Sequence, residues 1–138
     1  MLSSIKECLF CNKNKQKIIY SNNFFFIVRD SYPVTKYHTL IIPHRHVSNF
    51  FDLNDNEFKN LSNVLKKQRL SLLDLDKKIT GFNVGVNAWT DAGQSIMHCH
   101  IHLIPRRKGD IENPRGGVRG VIPSKQKYIK WKQIIFQK

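Results

Sequence analysis

The stretch Met97-His98-Cys99-His100-Ile101-His102-Leu103-Ile104-Pro105 alternates imidazoles with small or apolar side chains. Successive side chains of a strand point to opposite faces, so an extended 97–104 segment puts His98, His100 and His102 on one face. Cys99, Ile101 and Leu103 then share the other, which suits a core, and Cys99 reads as a small buried hydrophobe. The chain must therefore build a sheet with one packed face and one face given to chemistry. Histidine is a common metal ligand, but neighbouring imidazoles on one strand face stand about 6.6 Å apart. A zinc–nitrogen bond is only about 2.0–2.1 Å. At most two of the three reach one ion unless the strand bends, which favours a nucleophilic imidazole flanked by supporting groups.

Around this segment the pattern reads as strands, one long helix, then strands. Residues 17–30, KIIYSNNFFFIVRD, suggest two short strands around Ser21-Asn22-Asn23, and YHTLIIP a third ended by Pro43. From Asn54 to Lys78, the residues Phe58, Leu61, Leu65, Leu72 and Leu75 recur near helical spacing. Asn54 and Glu57 stand three apart at its start, as in a capping box. Residues 81–89 alternate Phe82, Val84 and Val86 against Asn83, Gly85 and Asn87, a half-buried strand. The expected class is α+β: an antiparallel sheet of about five strands, the long helix, and a short amphipathic C-terminal helix capped by Ser124. Tyr128, Trp131 and Ile135 would share one face of that last helix.

With 138 residues and 41% hydrophobic composition, one domain over 1–138 is expected, with 109–138 as a basic loop and tail. No run approaches the roughly 18 apolar residues of a membrane span, and the N-terminus lacks a secretory pattern. A soluble, cytoplasmic protein is expected. The net charge of +13 favours anionic partners such as nucleotides or polyphosphates. Its basic residues are scattered, which weakens a nucleic-acid reading. Three cysteines argue against a disulfide framework, and the Cys8-x-x-Cys11 pair suggests metal or redox chemistry. No helix signal follows that pair directly, which disfavours a thioredoxin-like role; free thiols are the simpler alternative.

The segment GQSIMHCHIHLIPRRKGD resembles the signature of the histidine triad superfamily of nucleotide hydrolases and transferases, H-φ-H-φ-H-φ-φ. RDSYPVTKYHTLIIPHRH resembles its upstream block, an acidic residue, x-x-Pro, then a strand holding a histidine and ending in Pro. CLFC resembles the cysteine pair of its zinc-containing members. The likeness runs in order from residue 8 to about 123. Pro105 and Arg106 after the triad favour the dinucleoside polyphosphate hydrolase branch. One departure is Tyr37, where glycine usually precedes the histidine.

The resemblance implies that His100 attacks the α-phosphate of an adenine nucleotide, forming a nucleotidyl–imidazole that water then hydrolyses. It implies His102 beside the phosphate, with Gln94 and Ser95 supplying donors. Asp30 falls where members bind the ribose hydroxyls, Asn87 points toward the same site or caps a turn, and His38 supports the catalytic strand. Arg106, with Arg107, Arg115 and Arg119, could grip distal phosphates or form a solvated basic surface. A structural zinc would be held by Cys8, Cys11, His46 and His98, with His44 a competing ligand. Homodimers are the family's usual state. The leading function is cleavage of dinucleoside polyphosphates or related adenylated compounds. The alternatives are a phosphoramidase or nucleoside monophosphate hydrolase of the same superfamily, a non-catalytic nucleotide sensor, or a nucleic-acid-binding module.

Overall fold

A computed structural model describes residues 7–128. The described residues fall into two compact units, divided after Arg107. The first carries five antiparallel strands and, among the described residues, one α-helix. The strands are β1 (Tyr20–Ser21), β2 (Phe25–Arg29), β3 (Thr39–Pro43), β4 (Ile79–Gly85) and β5 (Ile101–Arg107), with α1 (Asp55–Leu75) between β3 and β4. The sheet order is β1-β2-β3-β5-β4, so the histidine-bearing β5 lies inside the sheet and β4 forms an edge. This is the expected α+β class.

Burial follows from that order. β2 and β3, covered on both faces, are almost wholly buried, which explains why FFFIV and TLIIP read as continuous apolar runs. On one face, α1 presents Leu61 and Val64 to Phe25, Ile27, Ile41, Cys99 and Ile101. On the other, the N-terminal segment covers Phe26, Val28, Leu40 and Ile42 with Cys8 and Phe10. Helix α1 starts where the capping box demands. Asn54 Oδ1 accepts from the Glu57 amide, and Glu57 Oε1 accepts from the Asn54 amide, both at 2.9 Å. Buried Glu57 also takes a charge-assisted bond from Arg45 at 2.7 Å.

Several expectations shift. The histidine strand begins at Ile101 rather than residue 97. The physical reason lies in the backbone before it: the Cys99 amide donates to the Val47 carbonyl instead of to β3, and the His98 carbonyl accepts from the ring of His100. His98 and His100 therefore sit on an irregular approach to the strand, although Cys99, Ile101 and Leu103 are buried as the alternation requires. β4 ends at Gly85, and as an edge strand it leaves Val84 47% exposed. Leu75, the last helical residue, is also exposed.

The second unit opens with 3-10 turns at Gly117–Val121 and Pro123–Lys125. Ser124 thus stands inside a short turn, residues 126–128 are not α-helical, and the part of the expected C-terminal helix from residue 129 onward lies outside the described residues. Arg115 and Arg119 flank the ring of Tyr128, at 5.5 and 4.7 Å from its centroid.

Candidate functional site

The N-terminal segment and the chain following β3 converge on the first triad histidine. Cys8 Sγ lies 3.4 Å from His98 Nδ1 and Cys11 Sγ 3.2 Å from His46 Nδ1. The two imidazole nitrogens are 3.1 Å apart. All four donor atoms fall within 4.8 Å of one another. A tetrahedron with zinc–sulfur and zinc–nitrogen bonds has edges of roughly 3.3–3.8 Å, so the group fits such an ion after small adjustments. The fit also has a chemical basis. His98 Nε2 lies 2.9 Å from the Pro43 carbonyl. A carbonyl only accepts, so the proton sits on Nε2 and the Nδ1 lone pair faces the thiols. Burial drives His98 down to about 4, keeping it neutral. Burial, then the adjoining Cys8, pushes Cys11 up to about 11, so a thiolate pair here calls for a cation. His44 is excluded from the group: its Nε2 meets the Asn22 carbonyl at 2.7 Å, and its ring lies on Phe26.

His100 is 8% exposed, and its Nδ1 is 2.8 Å from the His98 carbonyl. By the same logic Nδ1 carries the proton, leaving the Nε2 lone pair with no partner among the described residues. Phe10, between the two cysteines, packs edge-on against both His98 and His100, with centroids at 5.9 and 5.2 Å.

The third imidazole belongs to a different chain of bonds. The Val34 amide, an obligatory donor, points at His38 Nδ1 at 3.1 Å. His38 must then hold its proton on Nε2, which lies 2.9 Å from His102 Nδ1. That contact needs one proton, and His38 supplies it. Neutral His102 consequently carries its own proton on Nε2, a buried atom with no hydrogen-bond partner. Burial, then the facing rings of His100 and His38, holds His102 at about 4. Burial also lowers His38, against the opposing pull of Asp30. Asp30 Oδ2 is 3.5 Å from His38 Nε2, while its Oδ1 accepts from the Tyr32 amide at 2.8 Å.

The loop before the triad is braced rather than open. Gln94 accepts from the Trp89 amide at 2.8 Å and donates to the carbonyls of Ile96 and Ser48. With both amide protons used internally and 3% exposure, Gln94 braces the loop in this structure. Ser95 is exposed, and Asn87 is half-buried against Gly93. Arg106 donates to Asn83 Oδ1 at 2.8 Å, four residues or about 13 Å along β5 from His102. Two residues hold left-handed backbones, Tyr37 (φ 71) and Trp89 (φ 73). The first explains why glycine is usual there.

Val34 and Phe10 were not singled out from the sequence. A proline at 33 and the CLFC spacer were their only visible signals.

The HIT domain matches residues 12–109. The chain belongs to the HIT family. Three solved HIT structures frame the comparison. A hypothetical histidine triad nucleotide-binding protein of Sulfolobus tokodaii is 32% identical, with a TM-score of 0.69 over 74% of this chain and 70% of its own. A zinc-bound histidine triad family protein of Mycobacterium smegmatis is 28% identical, also at 0.69, covering 76% and 78%. A HIT family hydrolase of Clostridium thermocellum is 27% identical at 0.62, covering 75% and 94%. All share the sheet-and-helix fold.

Proposed function

We propose that this HIT chain is a nucleotidyl hydrolase that cleaves dinucleoside polyphosphates or related adenylated compounds at the α-phosphate, with His100 as nucleophile. The observation that carries the reading is the pairing of an unengaged His100 Nε2 lone pair with the donor proton on His102 Nε2. One presents an electron pair to phosphorus; the other can stabilise charge on a phosphoryl oxygen. Ser95 offers an exposed hydroxyl nearby in sequence, and Asp30 suits two vicinal ribose hydroxyls. The relatives named for nucleotide binding and for hydrolysis support the same class.

Cys8, Cys11, His46 and His98 would hold zinc with all four positions taken by protein. Such an ion supplies a structural cross-link. The exposed edge of β4, with Val84 uncovered on the strand and Trp89 uncovered in the segment after it, is the surface proposed for a homodimer; Val84→Lys should then yield monomers in light scattering.

The decisive experiment is incubation with diadenosine tetraphosphate and mass analysis of the protein. A nucleotidyl adduct on His100, lost with turnover in His100→Ala, is expected. Undiminished turnover in that variant would remove the assignment.

A further inference from the structure

Two cations of the second unit are gathered on one aromatic ring. Arg115 and Arg119 bring their guanidinium carbons to 5.5 and 4.7 Å from the ring centroid of Tyr128, which holds them within about 10 Å of each other. One guanidinium is enough to cover a ring face, and two like charges brought this close repel. Neither arginine has a carboxylate partner among the described residues. Arg115, Arg119 and Tyr128 are exposed, as are Lys125 and Lys127 beside them. Residues 108–138 carry eight Lys or Arg against two Asp or Glu. The charge is concentrated here, and nothing acidic offsets it.

The backbone fixes the pair. Gly116 (φ 95) and Gly117 (φ 46) turn the chain between the two arginines. A Cβ on Gly116 would run into the Gln126 carbonyl, and one on Gly120 would stand 2.9 Å from Gln126 Oε1. Gln126 Nε2 donates to the Arg115 carbonyl at 3.2 Å, and the Arg119 guanidinium gives one donor to the Lys125 carbonyl at 3.1 Å. The other guanidinium N–H groups of both arginines have no acceptor among the described residues. A guanidinium resting on a ring still presents its planar fork of donors to an oxyanion.

We propose that Arg115 and Arg119, aligned by Tyr128, form a binding site for a run of phosphates, one fork to each of two phosphoryl groups. The ligand chemistry is a polyphosphate chain, free or carried on a nucleoside. Two forks on one ring make a compact two-point grip, whereas a nucleic-acid strand is held along an extended basic groove. Every residue named lies in the second unit, so the proposal does not depend on the nucleotidyl-hydrolase reading.

The test titrates the full-length chain with tripolyphosphate. NMR follows the arginine Nε–Hε and Tyr128 ring signals, and calorimetry gives the affinity. The Arg115 and Arg119 signals should move together and saturate, with affinity falling as salt is raised. Arg115→Ala or Arg119→Ala should weaken binding about tenfold or more, the loss of a charge-assisted bond. Lysine at both positions keeps the charge without the fork and should still cost several-fold, roughly the value of bidentate geometry. Tyr128→Phe keeps the ring and should bind within about twofold of the unaltered chain. Shifts confined to other residues, or full affinity in the double-lysine chain, would overturn the proposal. ATP and AMP, offered to His100→Ala so that they stay intact, separate the two sources. Equal affinity for ATP and tripolyphosphate supports recognition of phosphates alone, and tighter ATP binding supports a nucleoside polyphosphate. AMP holding these arginines as tightly as tripolyphosphate, or a single-stranded oligonucleotide holding them more tightly, would overturn the polyphosphate assignment.

Discussion

Cys8, Cys11, His46 and His98 draw their donor atoms within 4.8 Å, and so do Asp30, His38 and His102. By distance alone both groups could grip a cation. They differ in what stands behind the histidine. Behind His98 is the Pro43 carbonyl, which takes a proton and leaves a lone pair facing inward. Behind His38 is the Val34 amide, which takes the lone pair and leaves a proton facing inward. The first is arranged as a candidate ligand set and the second as a hydrogen-bond chain. The partner of the far ring nitrogen decides between metal and proton chemistry.

The largest effect expected from breaking this contrast is at the thiols. Cys8→Ser should abolish zinc retention and lower stability by about 4 kcal/mol or more, the scale of losing a structural metal. Metal analysis and denaturant unfolding read both. Asp30→Asn, in the other group, should leave zinc stoichiometry unchanged; a lost ion there would erase the distinction.

Next comes His38→Ala, which strands His102 Nδ1 in a buried site. A stability loss of about 2 kcal/mol should accompany a fall in kcat of about 100-fold as the donor on His102 loses its fixed tautomer. Unaltered kcat would mean that the chain from Val34 is structural only.

Acid gives a smaller, graded effect. His102 sits at about 4 in the fold against an ordinary value of 6.5. Between those values the unfolded chain binds more protons, so stability rises with pH there. Its contribution is full above about 6.5 and is lost as pH falls toward 4. Urea unfolding should show this slope, and His102→Gln should make it shallower, with His98 and His38 supplying the remainder; an unchanged slope would assign it to those groups alone.

The smallest change is expected at Tyr37. A non-glycine residue in a left-handed conformation costs of order 1–3 kcal/mol. Tyr37→Gly relieves that strain but forfeits the ring's contacts with Arg29 and Lys36, leaving a net change of about 1 kcal/mol or less. Tyr37→Ala keeps the strain and loses the contacts, so it should be the less stable of the two in thermal melts.

The fold was legible wherever period and chemistry agreed. The capping box at Asn54 and Glu57, the buried runs of β2 and β3, and the burial of Cys99 all follow from local pattern. The cysteines and His46 could be grouped through resemblance, yet the choice over His44 required the Asn22 carbonyl to be seen holding it. The tautomers were invisible because backbone groups set them. Val34 acts through an amide that any residue but proline possesses, so its identity carried no signal. The bracing of Gln94 was invisible for the same reason: its type suits a phosphate, and the three backbone groups it meets here carry no sequence signal.

Phe10 shows how much one position between the cysteines matters. Leu9 faces solvent while Phe10 is 4% exposed and touches the rings of His98 and His100. The two-residue spacing therefore sets a register as well as a bite. Adding a single residue between the thiols would leave both sulfurs in the chain yet slide the aromatic wall off both rings.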